Sequence, residues 1–224
     1  MSLLKLAIGW IKSAASAAQD ILVPENNKIQ KLLDLPAGTL RDLLPKSPVY
    51  MKDIFVLFDY QNKIVRFIVK SIKYKNNASL RKRIAGYLYE ETLDISSETA
   101  LFDGASPLLM PIPMSKKEKM DRGFNQCEEL CREIKRLSDN NIEISFSILK
   151  KVRETERQAK LSREKRLINI ENSMAVPTES VEAVRGRVVI ILDDVYTTGA
   201  SLAEARRALL SAGAKRVIGI FIAH

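Results

Sequence analysis

The chain has 224 residues, 46% of them hydrophobic, which is enough apolar material for one α/β domain of ordinary size plus an extension and excludes a chain disordered throughout. A formal net charge of +9 favours anionic partners, whether nucleic acid, acidic lipid or phosphorylated small molecules, without choosing among them. The only cysteines, Cys127 and Cys131, lie four apart on an expected helix with no second pair, which argues against structural zinc and for free thiols in a reducing cytoplasm.

In chain order, residues 1–50 read as a helical N-terminal extension. Leu3, Leu4, Ala7, Ile8 and Ile11 recur at helical spacing and Lys12 interrupts the apolar run, so the first helix is amphipathic rather than a signal peptide, and it ends before Pro24. A second helix is expected over 27–33, followed by a connection punctuated by Pro36, Gly38, Pro45 and Pro48. No segment approaches the roughly 18 apolar residues of a membrane span.

Residues 51–224 form a second unit. A β-prone run at 54–58 precedes an amphipathic helix over 62–74, with Ile64, Phe67, Ile68 and Ile72 on one face, and a further helix over 79–93. The apolar run 108–113 is a strand stopped by Pro111 and Pro113. A polar, basic loop follows, then a helix over 125–138 and a β-prone run at 142–149. Two strong strands, 188–192 and 217–222, flank a helix over 201–212 that Gly213 terminates. Strands alternating with helices predict a mostly parallel sheet covered on both faces.

The chemistry concentrates where the strand Val188-Val189-Ile190-Ile191-Leu192 runs into Asp193-Asp194 and then Thr197-Thr198-Gly199-Ala200-Ser201 at the start of a helix. In parallel sheets, ligands sit beyond the carboxyl ends of the strands. Two adjacent carboxylates there are costly if buried unpaired, so they should meet hydroxyl donors or a metal-bound ligand. Thr197, Thr198 and Ser201 supply hydroxyls, Gly199 lets the backbone approach an anion, and the helix aims its free N–H groups at the same spot. Strand termination and helix capping would explain the hydroxyls but not the acidic pair. There is no Gly-Lys-Ser/Thr element of a P-loop and no G-x-G-x-x-G run.

The string VVIILDDVYTTGAS resembles the phosphoribosyl pyrophosphate motif of type I phosphoribosyltransferases. Three further stretches narrow the resemblance to the ComF/GntX group: LFDYQNKIVRFIVKSIKYKNNASL at 57–80, PIPMSKKEKMDRGFNQ at 111–126 and RETERQAKLSREKRLIN at 153–169. It covers about residues 52–224. The resemblance implies the type I phosphoribosyltransferase fold, with a twisted, mostly parallel sheet flanked by helices. It assigns Asp193 and Asp194 to the ribose hydroxyls and Thr197, Thr198, Gly199, Ala200 and Ser201 to the 5-phosphate. Pro113, Met114 and Ser115 correspond to the turn facing pyrophosphate, with Arg122 and the Gly123-Phe124-Asn125-Gln126 signature beyond it. Arg153, Thr155, Gln158 and Arg166 fall in a segment similar to the family's mobile flap, and Lys73 and Tyr74 sit in a signature whose role the residues do not reveal.

Displacing pyrophosphate from an anomeric carbon calls for cationic stabilisation more than for a strong nucleophile. Magnesium carried on the substrate's oxygens is the expected ion, with no protein metal site. Thr197 stands where purine-salvage relatives have an acidic residue, which argues against a purine acceptor. The group's cysteine-rich zinc module is replaced here by the N-terminal helices. Two functions stay open: a phosphoribosyltransferase acting on phosphoribosyl pyrophosphate or a related sugar phosphate, and a non-catalytic DNA-uptake accessory contacting single-stranded DNA or competence proteins. A homodimer is compatible with either.

Overall fold

The structure, a computed structural model, describes residues 25–49, 51–104, 106–139, 141–154 and 170–224. The expected first helix and the flap positions Thr155, Gln158 and Arg166 lie outside the described residues. Helices α1 (Glu25–Leu33) and α2 (Ala37–Leu43) lead into strand β1 (Ile54–Phe58), helices α3 (Lys63–Lys75) and α4 (Ala78–Asp103), and strand β2 (Leu108–Pro111). Helices α5 (Lys116–Arg122) and α6 (Gln126–Leu137) and the short strands β3 (Lys150–Lys151) and β4 (Met174–Ala175) follow. Strand β5 (Val188–Val195), helix α7 (Ala200–Ser211) and strand β6 (Arg216–Ala223) complete the order. No helix among the described residues is long and apolar enough to cross a membrane.

The main sheet has the order β1-β6-β5-β2, and every pairing in it is parallel. The apolar run of β5 is buried from Val188 to Leu192 because neighbouring strands flank both its edges and helices cover its faces. Helix α6 packs on β2 and β5, and α7 lies on β6. Gly219 of β6 admits that approach, since a Cβ there would stand 2.7 Å from a methyl of Leu202.

Four expectations change. The connection expected after residue 33 contains α2, which starts directly after Pro36. The 79–93 helix continues to Asp103, with Thr92, Ser96 and Ser97 folding their hydroxyls back onto carbonyls one turn earlier, until Gly104 at φ 70° ends it. The basic stretch after Pro113 is not a loop. Ser115 and Glu118 form a reciprocal capping box that starts α5, and Gly123 at φ 84° closes it. The run 142–149 makes only a single parallel bridge, Ile144 to Leu109, and the strand proper is Lys150–Lys151, paired antiparallel with β4. Its apolar side chains reach the core without a ladder, and the Arg132 guanidinium lies 4.7 Å from the Phe146 ring.

Residues 25–49 are fastened to α4. Arg83 donates to the carbonyls of Leu35 (2.8 Å) and Leu33 (2.9 Å), the Tyr87 hydroxyl donates to that of Ala37 (2.6 Å), and Leu40 and Leu44 are buried.

Candidate functional site

β5 delivers its acidic pair to the mouth of a cleft of about 640 Å³ at the carboxyl ends of the strands. Asp193 Oδ1 accepts from the amide of Asp194 at 2.7 Å and from the Cys127 thiol at 3.7 Å. Asp194, only 4% exposed, turns Oδ2 to two donors: Lys73 Nζ at 2.6 Å and Gln126 Nε2 at 2.9 Å.

The corner between α5 and α6 explains how Gln126 arrives there. Gly123 reverses the chain, Asn125 caps α6 by accepting from the amides of Cys127 and Glu128, and its Nδ2 donates to the Ile112 carbonyl at 3.0 Å. The first turn of α6 is thereby tied to the end of β2, which sets Gln126 against Asp194. Arg122 donates to Gln126 Oε1 and lies 5.5 Å from the Tyr74 ring.

The loop after β5 is held by Tyr196, whose amide donates to the Ala223 carbonyl at 2.8 Å and whose ring packs edge-on against Phe221. Gly199 stands at φ 75°, and a Cβ there would come within 2.8 Å of the Tyr196 hydroxyl, so glycine is required on both counts. As the N-cap of α7 it brings no side chain to the helix's first amides, which leaves that end suited to an anion.

Of the sequence-expected residues, Pro113, Met114, Arg122, Asp193, Asp194, Thr197, Gly199, Ala200 and Ser201 line this one cleft. Three are placed elsewhere. Ser115 is buried, with its hydroxyl accepting from the Glu118 amide at 3.1 Å as part of the capping box. The Thr198 hydroxyl accepts from the Ala200 amide at 3.4 Å, and the exposed Arg153 donates to the Glu171 carbonyl at 2.6 Å. The cleft also gathers Tyr60, Lys73, Tyr196, Lys151 and Met174, to which sequence reasoning gave no role. Tyr196 lies inside the motif string itself and Tyr60 and Lys73 inside the 57–80 stretch, whereas Lys151 and Met174 come from segments outside every stretch that carries the resemblance. Lys151 Nζ sits 3.3 Å from Glu118 Oε2, and β4 is moored to α7 by the Met174 amide donating to Glu204 Oε1 at 2.9 Å.

Electrostatics set the protonation states. Burial, reinforced by the charge of Asp194, pushes the Asp193 carboxyl up to about 7, against the opposing pull of Lys73. Burial works against the charge on Lys73, but the Asp194 carboxylate outweighs it through charge and hydrogen bond, and the ammonium is held above its ordinary value. Burial and then the two aspartates raise the Cys127 thiol well above its usual range, so it is a neutral donor. Among the described residues no group of three or more His, Cys, Asp or Glu is placed to hold a metal ion. The arrangement can seat a phosphate at the head of α7 while presenting carboxylate oxygens to hydroxyl donors beside it.

Residues 121–223 match the family described as phosphoribosyl transferase domain. The DNA utilization protein YhgH of Escherichia coli O157:H7 is 26% identical over 217 residues, spanning 95% of this chain and 90% of that one. Competence protein F of Haemophilus influenzae is 26% identical over 165 residues, 74% of this chain and 70% of the relative. Competence protein ComFC of Bacillus subtilis is 32% identical over 114 residues, 51% of this chain and 42% of the relative. Among solved structures, a hypoxanthine phosphoribosyltransferase of Trypanosoma cruzi aligns at a TM-score of 0.38 and 14% identity, covering 63% of this chain and 64% of that one.

Proposed function

Because the chain belongs to the ComF family within the type I phosphoribosyltransferase superfamily, we propose that its cleft binds 5-phosphoribosyl pyrophosphate and transfers the ribosyl phosphate to an acceptor. The observation that carries this reading is the end of β5, where two adjacent aspartates enter a cleft and the Gly199 turn opens the head of α7 beside them.

Asp193 and the Oδ1 oxygen of Asp194 accept from the ribose hydroxyls, while the amides of Gly199 and Ser201 and the hydroxyls of Thr197 and Ser201 hold the 5-phosphate. Pro113 and Met114, just past β2, wall the region where pyrophosphate lies. As pyrophosphate departs, positive charge grows on the sugar and negative charge on the leaving group. The aspartates on the sugar side and a cation on the pyrophosphate side would stabilise that separation. Magnesium would enter on the pyrophosphate oxygens and would supply charge neutralisation to the departing group. The buried thiols of Cys127 and Cys131 suit a reducing cytoplasm as the place of action.

Titration calorimetry with phosphoribosyl pyrophosphate and magnesium tests the reading. A saturable heat at one site per chain is expected, and heat no greater than dilution would overturn it. A second reading is a non-catalytic accessory that contacts single-stranded DNA or competence proteins. The charge of +9, the exposed Lys116, Lys117 and Lys119 of α5, and the names of the relatives favour it. Fluorescence anisotropy with a labelled single strand across a salt series separates the two, because binding through phosphates must weaken steeply as salt rises.

A further inference from the structure

The roles above leave the leaving-group end of the cleft without a named cation, and the cleft contains one they do not use. Lys73 lies in the last turn of α3 and lines the cleft. Its Nζ is 2.6 Å from Asp194 Oδ2, an oxygen that also accepts from Gln126 Nε2 at 2.9 Å. The pair is asymmetric: the Lys73 side chain is 26% exposed and that of Asp194 only 6%. The carboxylate is therefore the buried anchor, and the ammonium is the group that faces the cleft. An ammonium has three donors, and Asp194 occupies one of them.

The other cations of the cleft are more heavily engaged. The Lys151 side chain is 6% exposed and paired with Glu118, and Arg122 is bound to Gln126 Oε1 and stacked on Tyr74. As a device for stability alone the Lys73–Asp194 pair is a weak one, since burying the carboxylate cancels much of the attraction.

We propose that Lys73 is the cation that meets the substrate's pyrophosphate, with Asp194 and Gln126 fixing it in place. The inference rests on the sugar-phosphate reading and assigns a residue to its unassigned end. When the bond from the anomeric carbon to the pyrophosphate oxygen breaks, the electron pair leaves with that oxygen. A cation already held by a buried carboxylate stabilises the new charge without having to reorganise. Asp194 keeps the ammonium protonated at neutral pH, so it is available as a donor throughout. Both anchoring contacts fall on Oδ2, which leaves Oδ1 for a sugar hydroxyl.

Calorimetric titration of the full chain with three probes tests this: phosphoribosyl pyrophosphate with magnesium, inorganic pyrophosphate with magnesium, and ribose 5-phosphate. Loss of one charge-assisted contact in Lys73→Met should weaken the two pyrophosphate-bearing probes about tenfold or more and ribose 5-phosphate no more than about threefold. Lys73→Gln keeps a donor for Asp194 and should show the same pattern even if the methionine variant is unstable. Lys73→Arg should restore most of the affinity. Equal loss for all three probes, or pyrophosphate binding unchanged in both neutral variants, overturns the proposal while the sugar-phosphate reading stands. Failure of the unaltered chain to bind any probe removes both.

Discussion

Asp193 shows what a buried carboxyl beside a second one costs in stability. Its carboxyl is pushed up to about 7 by burial and by its acidic neighbour, so the folded state holds a proton that the unfolded chain has already released. With the folded value raised, the group's contribution is fully present below the ordinary carboxylate range. It is then lost as pH climbs from about 4 to about 7. Asp193→Asn removes a costly charge and should raise the melting temperature at pH 8, with the gain shrinking toward pH 4. Thermal melts of the two proteins across that range check the sign, and a gain larger at pH 4 than at pH 8 contradicts it. The sequence exposed the acidic pair, because adjacent carboxylates after an apolar strand have few structural reasons to exist. It marked Lys73 and Gln126 only as members of signatures without a derived role and Cys127 only as a free thiol; that all three meet the pair follows from α3 and α6 packing beside β5.

At the scale of elements, α5 turns a charged stretch into structure. Nothing in it is buried, so hydrophobic periodicity cannot reveal it, and the signal lay instead in Ser115 and Glu118 at capping-box spacing. The Ser115 hydroxyl is spent on the helix and does not line the cleft. Ser115→Ala should therefore lower stability by about 1 kcal/mol, the usual worth of an N-cap, and leave phosphoribosyl pyrophosphate affinity nearly unchanged. Denaturant unfolding alongside calorimetry measures both, and a large loss of affinity with stability intact would return Ser115 to the pyrophosphate. The corner from Gly123 to Gln126 belongs to this scale too. Its four residues are a helix stop, a spacer, a cap that also grips Ile112, and the donor to Asp194, so the signature is structural before it is chemical.

For the whole molecule, residues 25–49 are the informative case. Proline and glycine spacing suggested a connection, yet α2 forms there and Leu40 sinks to 1% exposure in the common core. Leu40→Ala should cost about 2–5 kcal/mol, as for other buried leucines, and should shift the unfolding of the sheet domain rather than a separate transition. A melt that splits in two, or one that does not move, would show the segment to be independent. Sequence alone determined the α/β class, the parallel strands and the turn at Gly199 after the acidic pair, because each is written in contiguous residues: apolar runs of strand length, adjacent carboxylates, and a glycine that only a left-handed turn requires. The tertiary structure decided which partners those residues meet. The ion pair across 121 positions from Lys73 to Asp194, the bond from Gln126, and the mooring of β4 on α7 depend on packing between distant segments, and no local pattern encodes a distance between them.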